Sequence, residues 1–304
     1  MENFSYADGG TVCQYELART LKSLGHNVKI YVPSKKYIQN SIFNDFYTEN
    51  TPDFKPSNTV VIYCEGTVGN PLNAKYIVRW MLSELGQNVP YDNLNSWDKN
   101  ELVYYFNSEP KFEENPDKIG SVYKLLTCIY MDPNIKQINF NPRSGVCFTI
   151  RKAFKIHKSS VKQLHSDDSF EITWQHSLQD CINIFNIVKY FVSYDPLTFY
   201  TFIAAMCGCI SIVHPIEGVS KEEWLTRTCV REYMKHTGKK ELYGVAYGTD
   251  ADEIEFATNT IHLVKDQWDD IIHFCTTHTI LPFINDINNM DGLTNTIENN
   301  FFSK

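Results

Sequence analysis

An apolar segment near residue 193 ends on polar side chains. Residues 191–198, Phe-Val-Ser-Tyr-Asp-Pro-Leu-Thr, lead from a predicted strand into a predicted helix, with Tyr194, Asp195 and Thr198 at the junction. Ligands of open α/β sheets bind outside the carboxyl ends of the strands, so these side chains are candidates for binding a substrate. Asp195 and Pro196 also suit the first positions of a helix, and helix capping alone is the alternative explanation.

The densest basic cluster follows a second apolar segment. Arg151 and Lys152 come directly after the predicted strand at residues 146–150. Cations at this position can stabilise the charge of a departing diphosphate, which suits a nucleotide-sugar site. A solvated strand end with ordinary surface charges is the alternative. His157 and His165 lie nearby without the spacing of metal ligands, and we expect no metal.

A pair of glycines precedes the first predicted helix. Gly9 and Gly10 lack side chains, so the backbone can approach a phosphate or a sugar beside the free amides of the helix terminus. The pair is a weak signal by itself. It is not the glycine fingerprint of a dinucleotide site, and this disfavours an enzyme that uses NAD.

Glu65 ends a strongly apolar segment in the N-terminal half. A carboxylate at a strand end could accept the proton of an acceptor hydroxyl, so Glu65 is a candidate general base. Capping of the following segment and pairing with Arg79 are open alternatives, because buried acids seldom lack a partner.

Helical and strand patterns alternate along the chain, which is typical of helices packed around parallel sheets. The patterns predict strands at residues 59–63, 101–106, 146–150, 190–193 and 210–213, and helices at 75–85, 178–188, 197–207 and 252–274. Little sequence precedes the first helix, so the first strand of the N-terminal half is short or missing. We predict an α/β fold with two Rossmann-like domains, residues 1–142 and 143–284, and a polar tail at 285–304.

Composition narrows the class of protein. The chain has 304 residues and a net charge of −8, which disfavours a protein that mainly binds nucleic acid. It contains no apolar run long enough to cross a bilayer and begins without the features of a signal peptide, so we expect a soluble cytoplasmic protein.

The run from Ser193 to Cys209 resembles the donor-binding signature of retaining glycosyltransferases of the GT-B type. Asp195 matches the first acidic position of that signature, whereas Ile203 occupies the second, where a carboxylate would hold the ribose. Further segments are similar to a bacterial and viral group of glycosyltransferases and together cover most of residues 60–260: Tyr63-Cys-Glu65, Gly69-Asn-Pro-Leu-Asn-Ala, Val78-Arg-Trp80, residues 145–152, residues 190–198 with the Tyr-Asp-Pro-x-Thr motif, residues 218–224 and Ala246-Tyr-Gly248.

The resemblance implies two domains that face each other across a cleft, with the donor held mainly by the C-terminal one. Its implied activity is transfer of a sugar from a nucleoside-diphosphate sugar to a glycan, lipid or protein acceptor, with no metal or other cofactor. Gly9 and Gly10 would face the donor. A catalytically silent protein that binds a nucleotide or sugar is the alternative, favoured by Ile203 and the short N-terminus. An NAD-dependent epimerase or dehydratase ranks last.

Overall fold

A computed structural model describes the chain at residues 9–31, 47–48, 55–86, 88–107, 123–129, 131–153, 157 and 161–290. The chain divides into two compact units. The first unit combines Met1–Tyr130 with Ile272–Lys304, and the second unit is Met131–Ile271. The boundary predicted between residues 142 and 143 lies inside the second unit. The short first strand predicted before Gly9 lies outside the described residues.

The described elements are short strands and α-helices. The strands are β1 (Ile30–Tyr31), β2 (Tyr47–Thr48), β3 (Val60–Cys64), β4 (Tyr76–Met81), β5 (Leu102–Tyr105), β6 (Tyr123–Leu125), β7 (Val146–Thr149), β8 (Phe170–Glu171), β9 (Tyr190–Ser193), β10 (Ile210–Val213) and β11 (Val245–Tyr247). The α-helices are α1 (Gly9–Ser23), α2 (Leu178–Phe185), α3 (Tyr200–Met206), α4 (Lys221–Leu225), α5 (Arg231–Thr237), α6 (Ala251–Thr260), α7 (Val264–Cys275) and α8 (Leu281–Asn288).

The first unit contains a four-stranded parallel sheet in the order β3, β4, β5, β6. All six side chains of β4 are buried, since the strand is central and covered on both faces. The helix predicted at residues 75–85 is therefore wrong. Apolar residues at Ile77, Val78, Trp80 and Met81 fit a helical period as well as a buried strand, and only the neighbouring strands decide between the two.

Helices α1 and α8 cover one face of this sheet. Leu17 and Leu21 of α1 and Phe283 of α8 pack in the same cluster as Trp80. Helix α8 extends into the segment predicted as a polar tail, where Asp286 accepts a hydrogen bond of 2.5 Å from the Tyr104 hydroxyl. The start of that segment therefore belongs to the packed fold of the first unit.

The second unit contains a five-stranded parallel sheet in the order β11, β10, β9, β7, β8. Counted from β7, the strands lie in the order 2-1-3-4-5, which is one of the common orders of doubly wound α/β sheets. The chain leaves β7 toward β8 on one side and then returns to β9 on the other. The order of the strands therefore reverses between β7 and β9.

Side chains alternate between the two faces of this sheet. Cys147 and Phe191 pack with residues of α2 and α3, whereas Phe148 and Val192 pack with Ala257 of α6 on the other face. Helices thus cover both faces, as a parallel sheet requires. The chain is an α/β protein with two parallel sheets, consistent with Rossmann-like domains.

The long helix predicted at residues 252–274 is interrupted. Helix α6 ends at Thr260, a 3₁₀ turn spans Ile261–Leu263, and α7 follows. Within the described ranges, no helix is both long enough and apolar enough to span a membrane.

Candidate functional site

The reversal between β7 and β9 defines the candidate site. These strands pair in parallel with Thr149 opposite Ser193. Arg151 and Asp195 each follow their strand by two residues, so both emerge at the same edge of the sheet. This carboxyl edge, at the point where strand order reverses, is where ligands bind in open α/β sheets.

Arg151 and Lys152 provide the positive charge of this edge, and both side chains are exposed. The guanidinium carbon of Arg151 lies 4.8 Å from the centre of the Tyr200 ring, a cation–π contact that helps to orient the side chain. Burial raises the pKa of Tyr200 to about 12, and the charge of Arg151 opposes that rise. Tyr200 therefore stays a neutral support for the cation.

The backbone of Arg151 is strained. Its φ is +40°, in the left-handed region that side-chain-bearing residues seldom adopt. Such strain persists where the surrounding structure imposes it, and it concentrates at functional sites. The turn after β7 thus keeps an unfavourable conformation that presents a cation at the edge of the sheet.

Asp195 is a buried acid at the same edge, with 4% of its surface exposed. Its Oδ1 accepts a hydrogen bond of 3.3 Å from the amide of Leu197. In the described part of the chain, no cation lies within ion-pair distance of its carboxylate. Buried carboxylates rarely lack a charged partner. Because a carboxylate can accept more than the one hydrogen bond seen here, Asp195 can accept others from a ligand.

Asp195 is not the cap of the following helix. Helix α3 begins at Tyr200, with Phe199 at the N-cap position, so the capping explanation for Asp195 and Pro196 is wrong. A tight turn intervenes, in which the Asp195 carbonyl accepts from the Ser193 hydroxyl at 2.7 Å. The turn fixes the carboxylate independently of the helix.

Thr198 lies in the same turn and is 8% exposed. Its amide donates to the Asp195 carbonyl at 3.2 Å, and its Oγ1 accepts from the Tyr200 amide at 3.4 Å. The Trp224 indole donates to the carbonyl of Pro196 at 2.8 Å. Thr198 therefore stabilises the turn, and its contact with a donor stays a prediction.

Tyr194 is packed inside the second unit and only 2% exposed. Its hydroxyl accepts from the amide of Leu164 at 2.6 Å and lies 2.6 Å from Nδ1 of His165. A direct contact between this hydroxyl and a donor stays a prediction, because the hydroxyl already has two partners. In the structure, Tyr194 packs inside the second unit and its hydroxyl holds Leu164 and His165 beside the end of β9.

Histidines surround Tyr194. Nε2 of His157 lies 2.9 Å from the Tyr194 carbonyl, and the rings of His157 and His214 are 4.6 Å apart. Burial and then the nearby His157 lower the pKa of His214, and burial lowers that of His165. Among the residues with described positions, no group of three or more histidine, cysteine or acidic side chains could hold a metal ion.

Glu65, the predicted general base, lies in the first unit. Its Oε2 accepts from the Leu82 amide at 3.0 Å, and its Oε1 accepts from both the amide and the hydroxyl of Ser83, at 3.1 and 2.6 Å. The carboxylate therefore caps the turn after β4 rather than the segment that follows Glu65 in the sequence. Its catalytic role stays a prediction.

Arg79 is not the partner of Glu65. The guanidinium forms two hydrogen bonds with the carboxylate of Glu101, at 2.6 and 3.0 Å, and donates to the carbonyls of Thr67 and Gly69. The side chain of Arg79 is fully buried, and every one of these bonds satisfies a donor that water cannot reach. The alternative that Glu65 pairs with Arg79 is therefore wrong, because Glu101 is the partner of the guanidinium.

Gly9 and Gly10 are the first two residues of α1 rather than a turn before it. A Cβ added at Gly9 would meet no atom within 4 Å, so the position is open. Both glycines belong to the first unit, as Glu65 does. The other predicted site residues belong to the second unit: Arg151, Lys152, Tyr194, Asp195 and Thr198. Their contact with a donor stays a prediction.

One exposed residue was not singled out from the sequence. Trp174 is 83% exposed, more than any other large apolar side chain whose position is described. It follows β8, the strand beside β7. The available signal was a tryptophan between polar residues, Thr-Trp-Gln-His, directly after a short strand.

A comparison with protein-family models and a search of curated proteins both gave no match to this chain.

Proposed function

We propose that this protein is a glycosyltransferase that binds a nucleoside-diphosphate sugar at the carboxyl edge of the second unit's sheet. The observation that carries the proposal is that Arg151 and Asp195 each follow by two residues the paired ends of adjacent parallel strands, where the strand order reverses. This is the general location of ligand sites in such sheets. A cation and a buried carboxylate are the groups that a diphosphate and a sugar require.

Each group has a chemical task in this proposal. Arg151 and Lys152 bind the diphosphate and stabilise the charge that develops as the glycosidic bond breaks. The Asp195 carboxylate accepts hydrogen bonds from hydroxyls of the donor, and Thr198 holds the turn that presents it. Tyr194 supports the turn from the interior.

The first unit supplies the acceptor side in this proposal. Gly9 and Gly10, the first two residues of α1, would contact the donor. Glu65, the predicted base for the acceptor hydroxyl, is bound to the turn after β4, so the proposal gives it a structural role that Glu65→Gln tests. The acceptor is a glycan, a lipid or a protein. The reaction needs no metal, and the proposed location is the cytoplasm.

A catalytically silent nucleotide-binding or sugar-binding protein is the second candidate. The observation in its favour is Ile203, which is 4% exposed and packs in the apolar cluster of α2 and α3. No carboxylate can act from that position. Incubation of the purified protein with a panel of nucleotide sugars separates the candidates, because only a transferase releases the nucleoside diphosphate by transfer or slow hydrolysis.

The binding site is tested by charge reversal at Arg151. Arg151→Glu should abolish binding of uridine, guanosine and adenosine diphosphates, measured by calorimetry. Lys189→Glu is a matched control, because Lys189 is also exposed and lies 4.9 Å from a tyrosine ring but precedes β9 at the opposite edge. Equal binding by wild type and Arg151→Glu, with both folded, would remove Arg151 from the site.

A further inference from the structure

Trp174 is exposed, and among the described residues no hydrogen bond or ring contact of its side chain explains its position. Indole rings offer a large flat apolar surface, and every nucleobase has a face that can stack on such a ring. Phe170 on β8 is 49% exposed, and its ring lies 5.3 Å from that of His176. An aromatic surface therefore borders the exposed side of β8.

Trp174 emerges at the same edge as the proposed diphosphate site. Beyond the paired residues of β7 and β8, the Ile172 amide still donates to the Phe148 carbonyl at 2.7 Å, and the Thr149 hydroxyl donates to the Ile172 carbonyl at 2.9 Å. The two strands thus run side by side to their ends. Trp174 follows this last contact by two residues, as Arg151 follows Thr149.

The turn that carries Trp174 is held by hydrogen bonds. The Thr173 amide donates to Nδ1 of His176 at 3.1 Å, and the His176 amide donates to the Thr173 carbonyl at 3.3 Å. Ser177 and Asp180 then form a capping box at the start of α2. The backbone on both sides of the indole is fixed, so a ligand that stacks on the ring costs little ordering of the chain.

We propose that Trp174 is the stacking platform for the nucleobase of the donor, an inference that rests on the proposed nucleotide site. In dinucleotide-binding α/β sheets the phosphates lie at the turn after the first strand and the ribose lies near the end of the adjacent second strand. Here those positions are held by Arg151 with Lys152, and by Trp174. A cationic turn beside an exposed indole matches the charged and aromatic ends of a nucleoside diphosphate.

Calorimetric titrations with uridine diphosphate, adenosine diphosphate and inorganic pyrophosphate test the inference. Trp174→Ala should weaken binding of the nucleoside diphosphates by about 5- to 150-fold, the usual contribution of one base stacked on an aromatic ring. Binding of pyrophosphate should not change, since it has no base. Trp174→Phe should retain most of the affinity.

Phe140→Ala is the matched control. Phe140 is 81% exposed but precedes β7, so it lies at the opposite edge of the sheet, and its replacement should leave every affinity unchanged. If Trp174→Ala binds nucleoside diphosphates as wild type does while Arg151→Glu does not, the inference is overturned and the proposed function stands. An equal loss for pyrophosphate also overturns it. If wild type binds no nucleotide, the proposed function fails and this inference fails with it.

Discussion

Replacement of Glu65 by glutamine separates a structural role from a catalytic one. The carboxylate offers two acceptor oxygens to three donors on Leu82 and Ser83. The side-chain amide of glutamine offers only one acceptor oxygen. Its NH₂ group would replace the other oxygen and face an N–H or O–H donor that it cannot accept from. If the amide oxygen serves Ser83, the Leu82 amide is left without an acceptor beside a residue that is 7% exposed.

The expected loss follows from that orphaned donor. An unsatisfied buried hydrogen-bonding group costs about 1–3 kcal/mol. In a folded unit of this size, about 2 kcal/mol corresponds to roughly 4 to 8 °C in melting temperature. We expect Glu65→Gln to lower the melting temperature, measured by circular dichroism, by this amount and to leave turnover per folded molecule close to wild type.

Two further variants calibrate the measurement. Ser83→Ala removes one donor without leaving the carboxylate bare, and should cost about 1 kcal/mol. Asp92→Asn removes an exposed charge of the same unit and should change neither the melting temperature nor the turnover. A Glu65→Gln protein with unchanged melting temperature and turnover reduced by roughly 10²-fold or more would refute this reasoning and restore the general base.

Three other substitutions test the structure. Glu101→Gln should lower the free energy of unfolding of the first unit by about 3–5 kcal/mol, measured by urea unfolding, because it removes the negative charge that neutralises the buried Arg79 guanidinium. A loss below about 1 kcal/mol would contradict this. Arg151→Gly should abolish nucleotide binding yet leave the melting temperature nearly unchanged. Glycine adopts the φ of +40° without the strain that arginine has there, and this gain offsets the lost contact with Tyr200. Gly208→Ala should destabilise the second unit, because φ is +79° and the new Cβ would lie 2.7 Å from Gln137, and normal melting would contradict it.

Short strands with sharp ends could be predicted from the sequence. The strands at 190–193 and 210–213 have the predicted bounds, because each is a short apolar run limited by polar residues or by a glycine turn. The segment of β4 was misread, because its apolar residues satisfy two periods at once. The deciding facts were its neighbours on both sides and the acid that neutralises Arg79, which are all distant in sequence.

The site could be predicted only as separate pieces. Arg151 and Asp195 were identified because each follows an apolar strand, a local signal. The importance of Trp174 depends on β8 lying beside β7, which is a property of the strand order and not of the two-residue strand itself. Local sequence also left helix capping open as an alternative for Asp195, because Asp-Pro is a good helix start, whereas the helix begins five residues later.

The strand order yields a final prediction, on the sugar end of the donor. Neighbouring strands lie about 4.8 Å apart, so the ends of β8, β7 and β9 span about 10 Å across the edge. With the base at β8 and the diphosphate at β7, the sugar reaches the end of β9, where Asp195 lies.

Asp195→Asn keeps an oxygen for the Leu197 amide, so the turn should persist. The variant should bind a nucleotide sugar at least about tenfold more weakly, since it loses a charged acceptor for sugar hydroxyls. It should bind the free nucleoside diphosphate as wild type does. Calorimetry with the matched pair of ligands measures both, and equal weakening of the two would place Asp195 at the phosphates and reverse the proposed direction of the donor.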